Sequence, residues 1–246
     1  MQLYWNRNRV VDSAVDQESI WRGRYREAEI WAGRTWDVVQ PFMPTKPGRF
    51  LDIACGLGAT AKFFQDRGWY AEGQDADPNT RAAHEHFGIK STIGQIENIR
   101  YDEPFDFISI AHAIYFISDP VGFIRRVRGM LRPGGVFIVL LSDLLSAHSG
   151  GGPSYVHTWF PTGESLAVIL EREGFVVRRN LRMKGSIFVV ATWDAQGSSA
   201  DSALPPWVMW RIYARHCTHR ARHQLWGRPR RMAVDMVKKI IVRVRR

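Results

Sequence analysis

The chain has 246 residues, 45% hydrophobic and 24% charged, with a formal net charge of +10 and two cysteines. That length supports one core domain with extensions. Cys55 and Cys217 sit in unlike contexts and exclude a disulfide framework, so a reducing compartment is expected. The first residues, Met1 to Arg7, lack the apolar run of a signal peptide, and the stretch Val136 to Leu141 is too short to span a bilayer, which points to the cytoplasm. The charge is unevenly spread. Residues 205–246 hold twelve Lys and Arg against one acid, Asp235, a net +11 that leaves 1–204 at −1. Attraction to phosphate or anionic lipid therefore belongs to the tail rather than the core.

In chain order, residues 12–39 are rich in Trp, Tyr and Arg at helical spacing, with Ile20, Tyr25, Ile30 and Trp31 on one side, and end at Pro41 and the Pro44–Pro47 turn. One or two N-terminal helices are predicted, with 1–47 as a helical lid. An aromatic stripe of this kind, including Trp21, is more often plain core packing. After Pro47-Gly48, strands near 50–54, 69–74, 90–93, 105–110 and 135–141 alternate with helices near 59–67, 78–87 and 119–131. Such alternation implies right-handed crossovers and a mostly parallel sheet covered on both faces. A helix around Leu166–Leu170 ends at Gly174, and strands 175–181 and 186–193 form a closing hairpin about Lys184-Gly185. Residues 195–206 read as a linker before a basic tail, 207–246.

Phe50 to Thr60 is an apolar strand, a glycine turn and a helix start. Gly56 and Gly58 permit a sharp bend and positive φ, and the helix start presents unpaired N–H groups. Asp75 follows 17 residues beyond Gly58, at the end of the next strand, where a ribose-binding carboxylate belongs. Gly56-Leu57-Gly58-Ala59-Thr60-Ala61 alone also satisfies a dinucleotide-binding pattern.

Further motifs separate the two readings. Leu51 to Gly58, Gly73-Gln74-Asp75-Ala76-Asp77-Pro78, Gly94-Gln95-Ile96-Glu97, Pro104 to Ile110 with Ala111-His112, and Leu131-Arg132-Pro133-Gly134-Gly135 together resemble the class I S-adenosylmethionine-dependent methyltransferases, over roughly residues 50–193. The likeness is to the bacterial small-molecule and glycan type. Ala54 stands where the family's first loop glycine is usual, and Gln95 where an Asp is common. The resemblance implies an α/β, Rossmann-like seven-stranded sheet, mostly parallel with a C-terminal antiparallel hairpin. Residues 48–194 form the core, helices cover both faces, and N-terminal helices and a basic helical tail are added. It implies S-adenosylmethionine as cofactor and S-adenosylhomocysteine as product.

By the same resemblance Asp52, Ala54, Gly56, Gly58, Asp75, Ala76, Gln95, Ile96 and Ala111 contact the cofactor, Asp75 on the ribose hydroxyls and Ile96 by the adenine. Asp52 is expected to order the loop by accepting amide hydrogen bonds, and Asp77 to be a solvated turn carboxylate. If a hydroxyl accepts the methyl, a general base is needed, and histidine titrates in the right range. His112 and His157 are the candidates, with structural histidines as the alternative; Tyr115 and Asp143 lie at the same rim. No metal is implied: His84 and His86 are two apart on a helix and do not share a face. His219 and His223, with His216 and Cys217 nearby, lack a supporting carboxylate or second cysteine.

In the tail, Val237, Ile240, Ile241 and Val244 make an apolar stripe beside Lys238, Lys239, Arg243 and Arg245. Three readings stand: docking on an anionic membrane surface, packing or homodimerisation, and binding of nucleic acid. The functional expectation is O-methylation of a small molecule, glycan or lipid-linked intermediate, with the protein peripheral at the inner membrane face. An RNA methyltransferase and a non-catalytic cofactor-binding scaffold are the alternatives.

Overall fold

The Phe-, Ile- and Val-rich runs of the chain become parallel strands whose alternate side chains enter two separate cores. The computed structural model describes residues 17–143, 158–183 and 185–194, with Trp210 and Ala214. Helix α1 (Gln17–Val39) leads into β1 (Arg49–Ile53), α2 (Ala59–Gln65), β2 (Tyr70–Asp75), α3 (Arg81–Phe87) and β3 (Ser91–Ile93). β4 (Phe105–Ala111), α4 (Pro120–Met130), β5 (Leu131–Ser142), α5 (Gly163–Arg172), β6 (Phe175–Met183) and β7 (Ser186–Trp193) follow. Among the described residues seven strands form one sheet in the order β3-β2-β1-β4-β5-β7-β6. β1 to β5 run parallel, and β7 pairs antiparallel with both β5 and β6. The expected mostly parallel sheet with a closing hairpin is thus present.

One face buries Leu51, Ile53, Ile108, Ile110, Phe137 and Val139 against Phe123, Ile124 and Val127 of α4 and Leu166 and Leu170 of α5. The other buries Phe50, Phe107, Val136, Ile138 and Phe188 against Phe64 of α2 and Val38 and Val39 of α1. Phe50 stacks on Phe107 with ring centroids 4.8 Å apart and lies 4.2 Å from Phe64. Each fully buried ring of this kind contributes about 1.5–3 kcal/mol. The second half of α1 is therefore a layer of the core, with Ala32 and Val39 fully buried.

Two local differences from the expected elements have simple causes. Pro78 starts a 3-10 turn, Pro78–Thr80, capped by the Asp77 side chain, so α3 begins only at Arg81. At the Leu131–Gly135 turn the pairing jumps from Phe105↔Leu131 to Phe107↔Val136, and Gly134 takes φ +79, so this segment is a bulged entry to β5. Because β2 lies on one side of β1 and β4 on the other, the chain reverses direction across the sheet between β1 and β4. A crevice opens at the carboxyl ends of strands at such a point.

Candidate active site

The glycine loop leaves β1 at that crevice. Ala54, Gly56 and Gly58 have φ of +54, +57 and +80. At φ +80 Gly58 adopts a conformation that favours glycine, and a Cβ there would also press on Ile89 Cδ1 at 2.6 Å. On Gly56 a Cβ would meet nothing within 4 Å, which leaves that side open to a ligand. Ala54 takes the left-handed conformation without being glycine, at a cost of about 1–2 kcal/mol.

Asp75, 7% exposed at the end of β2, receives the Gly56 N–H on Oδ2 at 2.8 Å and the Asp77 N–H on Oδ1 at 2.9 Å. Each oxygen accepts one bond and keeps capacity for another, as a pair of ribose hydroxyls requires. Burial raises the Asp75 pKa, opposed by these backbone bonds. The open glycine cradle beside a buried carboxylate with spare acceptor capacity fits an adenosine-bearing cofactor.

Asp52 acts on the loop differently from expectation. It is 3% exposed, and its hydrogen-bond partner is a hydroxyl: Ser109, its opposite number across the β1–β4 pair, donates to Oδ1, while the Thr60 hydroxyl in the first turn of α2 also favours the carboxylate. Burial pushes its pKa up to about 7. Asp52 thus ties β1 to β4 just before the loop. Ala76 follows Asp75 half-buried; Gln95 is exposed, and Ile96 is 4% exposed at the start of a 3-10 turn, Ile96–Asn98. Gln74, which sequence reasoning passed over, joins the loops after β1 and β3: its Oε1 accepts from Ala54 N–H at 3.3 Å and its Nε2 donates to the Gly94 carbonyl. A fully buried amide immediately before Asp75 was the available signal.

Across the crevice, Ala111 ends β4 and His112 takes φ +52. Among the described residues Ala54 and His112 are the two non-glycine residues with positive φ, and they follow adjacent strands. Strain of this kind clusters at functional sites. The His112 N–H bonds the Leu140 carbonyl at 2.7 Å. Its Nδ1 lies 3.1 Å from Tyr115 Oη and 3.4 Å from Ser142 Oγ, which are 3.4 Å from each other. Trp31 of α1 meets the imidazole edge-on at 5.9 Å. Burial lowers the His112 pKa, favouring the neutral ring. Asp143, at the same rim, faces Arg182 Nε at 3.3 Å, and Arg182 also pairs with Glu164. His157, the linker and, apart from Trp210 and Ala214, the tail lie outside the described residues. His84 and His86 diverge, one buried and the other exposed. No cluster of metal-binding side chains occurs among the described residues.

A family profile described as a methyltransferase domain matches residues 22–180. The chain is 31% identical over 161 residues to a ubiquinone biosynthesis O-methyltransferase of Parvibaculum lavamentivorans, covering 60% of this chain and 62% of that one. It is 30% identical over 124 residues to one of the same name from a Bradyrhizobium species, covering 47% and 49%. The chain therefore spans 62% and 49% of these relatives' own lengths. Among solved structures, an S-adenosylmethionine dependent methyltransferase from Mesorhizobium loti superposes with a TM-score of 0.53 at 17% identity, covering 64% of this chain and 96% of that one. A glycopeptide N-methyltransferase complexed with S-adenosyl-L-methionine gives 0.50 at 20%, covering 69% and 93%. At such identities the likeness is one of fold.

Proposed function

The chain belongs to the S-adenosylmethionine-dependent methyltransferase family, and on that premise we propose that it transfers a methyl group to a hydroxyl of a small molecule, glycan or lipid-linked intermediate. The reading is supported by two groups of residues that follow the neighbouring strands β2, β1 and β4. The Gly56 cradle and Asp75 stand on one side, and a strained, half-buried His112 on the other. The O-methyltransferase name of the relatives supports oxygen as the acceptor atom.

The cofactor supplies a methyl already activated on a sulfonium, so the protein's main task is to hold the acceptor in line. Asp75 accepts from the ribose hydroxyls and Gly56 lets the backbone approach. His112 Nδ1–H donates to Tyr115 Oη, which turns its own proton toward Ser142 Oγ. That tautomer leaves the Nε2 lone pair to take the acceptor's hydroxyl proton as the oxygen is methylated. Among the described residues Nε2 has no hydrogen-bond partner. Trp31, itself packed on Phe188 of the core, walls one side of the imidazole.

The test is transfer of labelled methyl from S-adenosylmethionine to components of a cell extract. An alkali-stable product methylated on oxygen is expected; no labelled product overturns the enzymatic reading, and label in RNA overturns the acceptor class. The composition of 207–246 supports docking at the inner membrane face, which flotation of the full chain with anionic vesicles checks.

A further inference from the structure

We infer that His84 is a positioning residue for the cofactor loop, gripping the Gly56 carbonyl so that the Gly56 N–H stays on Asp75. The inference rests on the cofactor reading above. His84 belongs to the stripe Thr80, Ala83, His84 and Phe87 at helical spacing, and is 1% exposed. Its Nε2 lies 2.7 Å from the Gly56 carbonyl oxygen and its Nδ1 2.8 Å from Ser91 Oγ. A carbonyl only accepts, so Nε2 carries the proton, and Nδ1 meets the Ser91 hydroxyl, which can donate or accept. Ser91, where β3 starts, thereby holds the ring in the orientation that the grip needs.

Gly56 is held through both of its polar groups, the N–H by Asp75 at 2.8 Å and the carbonyl by His84. Its φ of +57 and the open space where a Cβ would stand mean that no side chain of its own locks it. The floor under the loop is continuous with the imidazole. A Cβ on Gly58 would meet His84 Cδ2 at 3.4 Å, and Cys55 Sγ lies 3.6 Å from Nε2. Without the imidazole the Gly56 carbonyl loses its donor, the peptide is free to rotate, and the N–H leaves Asp75. The effect therefore falls on cofactor affinity, since His112 and Tyr115 follow β4 and Ser142 ends β5, beyond β1.

The experiment is calorimetric titration of the full chain with S-adenosylhomocysteine, paired with amide hydrogen exchange of segment 54–60 in the cofactor-free protein. It compares wild type, His84→Leu, His84→Gln and Ser91→Ala. His84→Leu is expected to weaken binding about tenfold and to speed exchange in the segment. His84→Gln, which returns an N–H donor, is expected to stay within about threefold of wild type, and Ser91→Ala to weaken binding about threefold. Turnover at saturating cofactor stays near wild type in all three. If His84→Leu does not fold, Ser91→Ala and His84→Gln carry the test alone. Wild-type affinity and exchange in His84→Leu or Ser91→Ala, or a Gln variant no better than Leu, overturns the inference. A wild-type chain that does not bind S-adenosylhomocysteine overturns the cofactor reading itself.

Discussion

Where the loops after β1, β2 and β3 meet, side chains grip backbone at 2.7 to 3.3 Å: Asp75 on Gly56, His84 on Gly56 and Gln74 on Ala54. Where β4 and β5 end, His112, Tyr115 and Ser142 face one another at 3.1 to 3.4 Å in a looser triangle. The first region is set before any ligand arrives. The second keeps long contacts of the kind that, in catalytic sites, often tighten only once substrate is bound. The contrast matches the proposed chemistry. A cofactor common to a whole family suits a rigid cradle, and an acceptor particular to one chain suits a site that adjusts.

The sharpest way to break the contrast is to remove one member from each side. His112→Ala is expected to lower turnover about 100-fold, in the range of general-base catalysis, with the dissociation constant for S-adenosylhomocysteine unchanged. Asp75→Ala is expected to do the reverse, weakening cofactor binding about tenfold or more by calorimetry through loss of charge-assisted hydrogen bonds. Equal affinity in that variant removes Asp75 from the site.

A smaller effect sharpens the acceptor side. Burial lowers the His112 pKa, and the neutral ring is the active form, so the acid limb of kcat/KM lies below the ordinary histidine value. Activity holds as pH falls toward that limb and is lost only as the ring protonates. Tyr115→Phe removes the acceptor for Nδ1–H and is expected to cost about tenfold in turnover at unchanged cofactor affinity. A limb at or above about pH 6.5 would contradict the assignment of His112.

The smallest effect belongs to the loop itself. Ala54→Gly relieves the left-handed strain, about 1–2 kcal/mol, and loosens the unfolded chain by about 0.4–1 kcal/mol. A net gain of about 0.5–1 kcal/mol, seen as a higher melting temperature, is expected.

The periodicities carried the fold because strand and helix lengths follow from local patterning: Phe105 to Ile110 and Val136 to Leu141 fit strands buried on both faces, and the alternation with helices around them supplied the rest. Gly56, Gly58 and Asp75 were legible for the same reason, since a turn and a strand end are local events. His84 was not. Its contact with Gly56 spans 28 positions, which its spacing from His86 does not encode. The trace that existed was a polar residue inside a buried helical stripe. Trp31 against His112 is likewise a product of how α1 lies on the sheet, which no spacing encodes. Asp52 lies in β1, and its Ser109 partner depends on the β1–β4 register that sets the two residues opposite each other.

A crystal structure of the full chain with S-adenosylhomocysteine asks most directly whether the two groups of residues share one ligand. Expected is an adenosine whose ribose hydroxyls lie within hydrogen-bond distance of both Asp75 carboxylate oxygens, with the sulfur directed toward His112. An adenosine bound elsewhere, or a ribose turned away from Asp75, contradicts the assignment.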